Sequence, residues 1–374
     1  MNLPEYFSLV FTDYTLRTIT LGTALLGAIC GMLGSFAVLR KQSLLGDAIS
    51  HAALPGIALA FILFQSKDSS VLLTGALVSG LAGTFWIRSI TQNTRLKSDT
   101  ALGLVLSLFF GFGMLLLTFI QKQPNANQAG LEKYLFGQAA TLVASDVWLM
   151  AGVTGVSFCV MSIFWKEFKV LLFDPEYTLT LGFNTKFIDI LMTSFMVLAI
   201  VLGLQTVGVV LMSAMLLAPA AAARQWTDRL WVMVTLAAVF GALSGILGTA
   251  ISAGYDNLST GPVIVLVAAV FVFLSFVFAP RRGLLARRIG FIRNRNDLHL
   301  HKTLSFMYEI AKSHEDHSHP HSLRLFNEFR GFSKKSLRKL EVQGWITFDS
   351  RQWSLTDEGF HKAANLYNQN VEKP

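Results

Sequence analysis

One short segment of this sequence carries a carboxylate and an imidazole at the spacing of one helical turn. Asp47 and His51 are four residues apart in SLLGDAISHAALPG, residues 43–56, so a helix would place them about 6 Å apart on one face. A carboxylate and an imidazole in this relation could hold Mn²⁺, Fe²⁺ or Zn²⁺, which all accept mixed oxygen and nitrogen ligands. The segment therefore predicts a metal-ligating helix face, which Ser43 and Ser50 are expected to extend.

The alternative for Asp47 and His51 is a polar pair that satisfies itself between helices. We favour the ligand interpretation, because His51 is the only histidine in the first 298 residues and an ionisable group in hydrocarbon is costly unless it is paired or faces a cavity. Pro55 and Gly56 are expected to interrupt the helix, so that freed carbonyls could line a cavity. Asp256, in SAGYDNLSTGP, is a third candidate ligand, and a polar outer loop is its alternative.

The elements that must position these side chains are membrane-spanning helices. The chain has 374 residues, of which 53% are hydrophobic and 14% charged, so a soluble class is excluded. Apolar stretches of about 17 to 23 residues recur, and each is long enough to cross a bilayer. Nine spans are predicted, near 18–39, 44–64, 71–90, 100–120, 146–165, 187–203, 206–223, 230–251 and 262–279.

The distribution of basic residues predicts the orientation of these spans. With the N-terminus outside, 16 of the 31 lysines and arginines lie on the cytoplasmic side of the spans and four lie outside. The remaining 11 follow residue 298. Because basic residues are retained in cytoplasmic loops, we expect an extracytoplasmic N-terminus and a cytoplasmic tail. Most of the net charge of +8 is thereby explained by topology rather than by nucleic acid.

A short capped helix is predicted between the fifth and sixth spans. Asp174 can cap it, Pro175 suits its first position, Glu176 favours the positive end of its dipole, and Gly182 suits its C-terminal stop. On the cytoplasmic face such a helix could dock into a partner protein. An ordinary capped linker helix is the alternative.

The composition changes after the last span. The arginine-rich residues 286–298 predict a linker on the membrane surface that binds anionic lipid, and residues 299–374 predict a small cytoplasmic domain. Helices are expected at 300–313, 322–330 and 333–343, a hairpin between Trp345 and Leu355, and a final helix from Asp357. This order resembles the α/β winged-helix domain of metal-dependent repressors of the diphtheria-toxin-repressor type.

Two sets of tail residues could bind a ligand. The expected recognition helix could contact phosphates of nucleic acid through Lys334, Lys335, Arg338 and Lys339. Winged helices also serve as protein-interaction modules, so both kinds of partner stay open. The segment HEDHSHPH could bind a regulatory zinc or iron ion, or form a solvated loop, and its histidines are His314, His317, His319 and His321.

Four motifs over roughly residues 15–285 resemble the manganese, zinc and iron permease family of bacterial ABC importers, the family 3 metal permeases. The motifs are SLLGDAISHAALPGIALAF at 43–61, LEKYLFGQ at 131–138, LLFDPEYTLTLG at 171–182, and STGPVIVL at 259–266 followed by APRRG at 279–283. The resemblance defines a permease domain at 1–285. It predicts an all-α polytopic protein of about nine transmembrane helices in the bacterial inner membrane.

The resemblance also implies partners and a cargo. It implies a homodimer or heterodimer of permease subunits that receives Mn²⁺, Zn²⁺ or Fe²⁺ from an external binding protein, holds no permanent cofactor and is driven by a cytoplasmic ATPase. Asp47 and His51 match positions at which the family binds or gates the ion, and 171–182 matches its coupling helix. The family has an acidic residue and a proline near Asp256, whereas Asn257 follows here.

The chain has no Gly-Lys pair, so it lacks the P-loop of an ATPase. We therefore expect a partner protein to hydrolyse ATP, and we do not expect this chain to be an enzyme.

Two further functions compete with a permease of this class. A membrane-tethered, metal-responsive transcriptional regulator would use the spans mainly as an anchor for the tail. A secondary metal transporter would need no ATPase, and the capped helix at 174–182 argues against it.

Overall fold

The protein consists of two units, Met1–Gly283 and Leu284–Pro374. A computed structural model describes residues 12–122, 137–255, 258–312, 319–322, 334–349 and 352–371. The first unit is built from helices throughout its described part, and the second adds a small sheet. The boundary falls two residues before the predicted end of the permease domain at 285.

The described part of the first unit contains eleven α-helices. They are α1 (Tyr14–Leu39), α2 (Leu45–Phe64), α3 (Ser69–Asn93), α4 (Ser98–Gln121), α5 (Ala144–Ile163), α6 (Trp165–Phe173), α7 (Pro175–Thr180), α8 (Thr185–Leu204), α9 (Val209–Trp226), α10 (Leu230–Ala253) and α11 (Thr260–Phe278). All except α6 and α7 are long and apolar enough to cross a membrane. These nine helices correspond one to one to the nine predicted spans, so the prediction of a polytopic helical protein is confirmed.

Helices α1 and α10 are in backbone contact, because both carry glycine at their crossing. A Cβ atom on Gly27 would overlap the carbonyl oxygen of Gly241, and a Cβ atom on Gly241 would overlap that of Gly27. Near this crossing, the hydroxyls of Thr23 and Thr249 are 3.0 Å apart and buried. In lipid, where apolar side chains gain nothing by leaving the solvent, close packing and interhelical hydrogen bonds of this kind hold helices together.

Helix α2 lies among α3, α4, α8 and α9. It runs without a break from Leu45 to Phe64, with Pro55 inside it, so the predicted interruption at Pro55 and Gly56 is wrong. Gly56 instead lies against Gly75 of α3, where a Cβ atom on either residue would overlap the other's carbonyl oxygen. Tight packing on α3 thus keeps this proline-containing helix continuous.

The connection between α8 and α9 is short, irregular and buried. Gly208 has a φ of +87°, a backbone conformation that favours glycine, and it ends this connection directly before α9. The buried side chain of Gln205 accepts a hydrogen bond from Ser69 Oγ at 3.1 Å and donates one to Asp146 Oδ2 at 3.3 Å. Asp146 Oδ2 also accepts from the Val143 backbone N–H at 3.3 Å, so it caps the start of α5.

An exposed carboxylate ties the loop between α9 and α10 to the residues that follow α11. Asp228 Oδ1 lies 2.6 Å from Arg282 Nη2, and Asp228 Oδ2 lies 3.1 Å from Arg281 Nη1. The hydrogen bond from Arg281 holds the pKa of Asp228 below its usual value, and the charges of Arg282 and Arg224 act in the same direction. Ion pairs this exposed stabilise a fold only weakly. We therefore regard them as a link between the two chain segments rather than as a source of stability.

The second unit contains three helices and three strands in its described part. They are α12 (Leu284–Ala311), β1 (His321–Ser322), α13 (Lys334–Val342), β2 (Ile346–Asp349), β3 (Gln352–Leu355) and α14 (Asp357–Val371). The sheet is antiparallel with the order β1-β3-β2, and Ile346 pairs with Leu355 in the β2-β3 hairpin. Trp353, Leu304 and Leu340 belong to its core, which the three helices and the hairpin share.

The tail differs from its sequence-based description at two places. The residues expected to form a linker, 286–298, lie inside the continuous helix α12, which belongs wholly to the second unit. Ser322 belongs to a strand rather than to a helix at 322–330, and residues 323–330 lie outside the described part. The hairpin and the final helix occur at the expected positions.

The α1–α10 contact leads to a stability prediction. We expect Gly27→Ala to lower the free energy of unfolding by about 1–3 kcal/mol, the usual cost of overpacking, because its methyl group would overlap the Gly241 carbonyl. The midpoint of thermal unfolding in detergent measures this. Gly155→Ala in α5 is the control, since its methyl group meets no atom within 4 Å among the described residues. Equal midpoints for the two variants would contradict the close contact.

Candidate metal site

Helix α2 places Asp47 and His51 together, as their spacing predicts. Asp47 lies in the first turn of α2, where the positive end of the helix dipole favours a carboxylate. His51 Nε2 lies 3.4 Å from Asp47 Oδ1, and the two side chains are 13% and 32% exposed, respectively. The two groups therefore lie close together and keep part of their surface exposed, so an ion could approach both.

An aromatic ring covers part of the imidazole. The ring of Phe110 in α4 meets His51 edge to face, with centroids 4.7 Å apart. Nδ1 of His51 is buried and has no hydrogen-bond partner among the described residues. A buried polar nitrogen without a partner is unusual. The alternative interpretation requires a pair that satisfies its own polar atoms, and the unpartnered Nδ1 argues against it.

The predicted polar stripe is shorter than expected. Ser50 is fully buried and its hydroxyl donates to the carbonyl of Gly46 at 2.7 Å, so it belongs to the packed side of α2. Ser43 precedes the helix and is exposed. The extension of the stripe by these two serines is therefore wrong, because the helix phase turns Ser50 away and the helix begins after Ser43.

Within the described residues, no group of three His, Cys, Asp or Glu side chains comes together. Asp256, the third candidate ligand, lies outside the described part. The described residues of one chain therefore bring together one carboxylate and one imidazole at this site. Transition metals in proteins normally take four or more ligands, so any bound ion must complete its coordination from elsewhere.

The short helix α7 begins as predicted. Asp174 Oδ1 accepts from the backbone N–H of Tyr177 at 2.9 Å, which caps the helix, and Pro175 and Glu176 form its first turn. Gly182, just beyond its end, has a φ of +80°, a value that glycine adopts without strain.

The surface of α7 is apolar where it is exposed. Tyr177, Leu179 and Leu181 are each about half exposed or more, whereas Thr178 is fully buried. These side chains form an apolar surface that the other described residues of the membrane unit leave exposed. A protein partner would bury that surface.

The candidate residues of the tail are only partly described. His314 and His317 lie outside the described residues. The ring centroids of His319 and His321 are 5.6 Å apart, and His321 is 7% exposed with its ring 4.9 Å from that of Trp353. His321 is therefore a core residue as well as a member of the histidine cluster, which its polar sequence context did not indicate.

The basic residues of the expected recognition helix lie on α13. Lys334 and Lys335 begin this helix, and Arg338 and Lys339 are exposed on it. The helix precedes the β2-β3 hairpin directly, as a recognition helix precedes a wing.

Two features of the membrane unit were not found from the sequence. Phe110 has no motif around it that would mark it as a neighbour of His51. Asp189 forms ion pairs with two arginines, Arg40 and Arg88. Both arginines are distant in sequence, so no local pattern could indicate these pairs.

Comparison with known proteins identifies the class of the first unit. A model of the ABC 3 transport family matches residues 12–279. The zinc transport system membrane protein TroC of Treponema pallidum (strain Nichols) is 49% identical over 276 residues, which cover 74% of this chain and 93% of TroC. The manganese transport system membrane protein MntC of Bacillus subtilis (strain 168) is 41% identical over 343 residues, which cover 91% of this chain and 79% of MntC.

A solved structure agrees with this. PsaBC from Streptococcus pneumoniae, in complex with Fab, matches with a TM-score of 0.67 at 33% identity, over 77% of this chain and 100% of the matched chain. The family model covers the nine membrane helices, and the resemblance predicted from the four motifs is confirmed. The chain therefore belongs to the ABC 3 transport family, whose members are permease subunits of metal importers and leave ATP hydrolysis to a separate subunit.

Proposed function

We propose that this chain forms the membrane pathway of an ABC importer for Mn²⁺, Zn²⁺ or Fe²⁺, and that Asp47 and His51 bind the ion in transit. The observation that carries the proposal is the pair itself. It is a carboxylate and an imidazole 3.4 Å apart on a membrane helix. Membership in a family of metal permeases supports the cargo class.

The incompleteness of the site suits transport. A transported ion must bind well enough to enter and weakly enough to leave, and a site to which the described residues of one chain contribute two candidate ligands suits that requirement. The remaining ligands would come from a second permease subunit, from Asp256 or from water. A carboxylate with an imidazole suits all three metals, so the pair selects divalent transition metals as a class rather than one of them.

The geometry also supports different roles for Asp47 and His51 in binding the ion. Asp47 is the more open of the two, and its negative charge would attract a cation and offset the cost of bringing it into the membrane. His51 would then supply a nitrogen ligand, while Phe110 shields one side of the imidazole from water.

We infer that α7 transmits force from a cytoplasmic ATPase. Its exposed apolar residues and its capped, stiff start support a docking role, and Asp174, Pro175, Glu176 and Gly182 would fix its shape. With the N-terminus outside, as the basic residues favour, α7 lies on the cytoplasmic side. An extracytoplasmic binding protein would deliver the metal at the opposite side, to a homodimer or heterodimer of permease subunits.

We propose a regulatory role for the second unit. Three helices, a hairpin and a three-stranded sheet around one core support a winged-helix domain. Exposed Arg338 and Lys339 on α13 would suit a nucleic-acid or an acidic protein partner, and the four histidines of the predicted cluster would suit a regulatory metal. The alignment of MntC from B. subtilis over 91% of this chain extends past the membrane unit, so such a tail is shared with at least one relative.

The metal site is tested by Asp47→Asn and His51→Gln. Asp47→Asn removes the negative charge and His51→Gln removes the imidazole nitrogen, while each keeps the approximate size of the side chain. We therefore expect metal uptake by reconstituted complex to fall at least tenfold, which is about 1.4 kcal/mol of lost binding. Uptake of ⁵⁴Mn or ⁶⁵Zn measures this, with co-purification of the ATPase as the check on assembly. Ser50→Ala, on the packed side of the same helix, should keep uptake. Normal uptake by both ligand variants would refute the site.

The coupling role of α7 is tested by Leu179→Ala. Loss of one exposed leucine from a docking surface should weaken ATPase binding about tenfold, the effect typical of a truncated interface anchor, as measured by the amount of ATPase that co-purifies. Leu266→Ala in α11 is a matched control, since Leu266 is 65% and Leu179 61% exposed. If the two variants retain equal amounts of ATPase, α7 is an ordinary linker. Metal uptake that needs no ATPase at all would favour a secondary transporter.

Deleting residues 299–374 tests the role of the tail. Because the core of the second unit begins at Leu300 while the membrane helices end at Phe278, we expect metal uptake to survive the deletion and its response to cytoplasmic metal to change. Uptake measured with and without metal preloading reports both effects. If uptake is intact and only transcription of other genes changes, the tail serves a tethered regulator.

A further inference from the structure

A cavity lined by basic residues lies apart from the Asp47–His51 pair in the membrane unit. The cavity, of about 610 Å³, lies between the start of α2, the last turns of α3 and the first turns of α8. Arg40, Arg88 and Lys186 line it together with one carboxylate, Asp189. Asp47 and His51 are not among its lining residues, so the cavity is distinct from the candidate metal site.

The carboxylate holds two of the three cations in place. Asp189 Oδ1 lies 2.6 Å from Arg40 Nη1, and Asp189 Oδ2 lies 3.0 Å from Arg88 Nη1. Lys186 has no ion-pair partner within the described residues. One negative charge therefore faces three positive charges, and the cavity carries an excess of positive charge that a transition-metal path would not have.

The lining changes in character along α3 and α8. Lys186 is the second residue of α8 and Arg88 lies near the end of α3, so the charges sit near the ends of two helices of membrane-spanning length. Leu81 and Phe85 of α3 and Ile190 of α8 line the cavity further into the helices and are exposed, and three hydroxyl-bearing residues line it beside them, Thr84, Thr193 and Ser194. The cavity thus has a cationic end near the helix termini and, further into the helices, an end with exposed apolar side chains, which we call its apolar end.

We propose that this cavity binds an anionic phospholipid, with its phosphate at Lys186, Arg40 and Arg88 and an acyl chain along Leu81, Phe85 and Ile190. Basic pockets between membrane helices recognise anionic headgroups in this way. The Asp189 ion pairs preset the two arginines, so the lipid meets a formed site. A bound lipid would bridge α1, α3 and α8, and it would neutralise the excess charge.

The test measures which lipid the full-length protein retains, purified with its partner subunits after reconstitution into bilayers of equal phosphatidylglycerol and phosphatidylcholine. Native mass spectrometry after mild detergent extraction counts the retained lipids. We expect phosphatidylglycerol to be enriched, and Lys186→Gln to reduce its retention about fivefold, the factor typical of one basic residue at an anionic surface. Lys166→Gln, an exposed lysine at the start of α6, is the matched control and should retain lipid normally.

A second variant tests the acyl-chain end without altering charge. Leu81→Trp should also lower the retention of phosphatidylglycerol, because the larger ring fills the apolar end of the cavity. Equal retention of the two lipids, or equal effects of Lys186→Gln and Lys166→Gln, would overturn the proposal. If inorganic phosphate displaces the lipid and Leu81→Trp leaves lipid retention unchanged, the cavity is a small-anion site instead. Loss of the ATPase rather than of lipid from Lys186→Gln would identify a protein-docking surface.

Discussion

In hydrocarbon a polar group has no water to bond with, and this constraint governs the membrane unit. Every backbone N–H and C=O group must bond within its helix or to a neighbour, so the chain crosses the membrane as helices and its polar side chains are few and paired. The buried hydroxyls of Thr23 and Thr249 bond across α1 and α10, and Gln205 joins Ser69 to Asp146. Among the described residues of the membrane unit, Nδ1 of His51 is one of three buried side-chain atoms without a hydrogen-bond partner, with Ser157 Oγ and Glu167 Oε2, and it is the one that lies beside a partly open carboxylate, Asp47.

The same constraint explains why the fold was accessible from the sequence. Hydrophobic stretches of bilayer length can form little else than spanning helices, so the nine spans follow from composition alone. Their predicted ends fall within four residues of the ends of the helices. The cap at Asp174 is equally local, because the residues that make it lie within three positions of one another. Periodicity and capping chemistry therefore recover the elements of this protein well.

Contacts between distant residues were not accessible in this way. Arg40 and Arg88 are 149 and 101 positions from Asp189, and no sequence pattern pairs them. The continuity of α2 through Pro55 was missed for a similar reason, because propensity favours a break while tight packing of Gly56 on Gly75 keeps the helix intact. The proximity of Asp47 and His51 could be predicted, because their i, i+4 spacing places them on one face of a helix. The contact of Phe110 with His51 could not, because it depends on how α2 and α4 pack.

The proposed sharing of ligands between subunits has a consequence for assembly. Asp47 and His51 are two candidate ligands on α2, and those proposed for the second permease subunit are absent until the two subunits meet. A subunit that inserts into the membrane before assembly would then bind a metal ion less tightly than the assembled importer does. On this proposal, isolated subunits would not sequester a scarce nutrient.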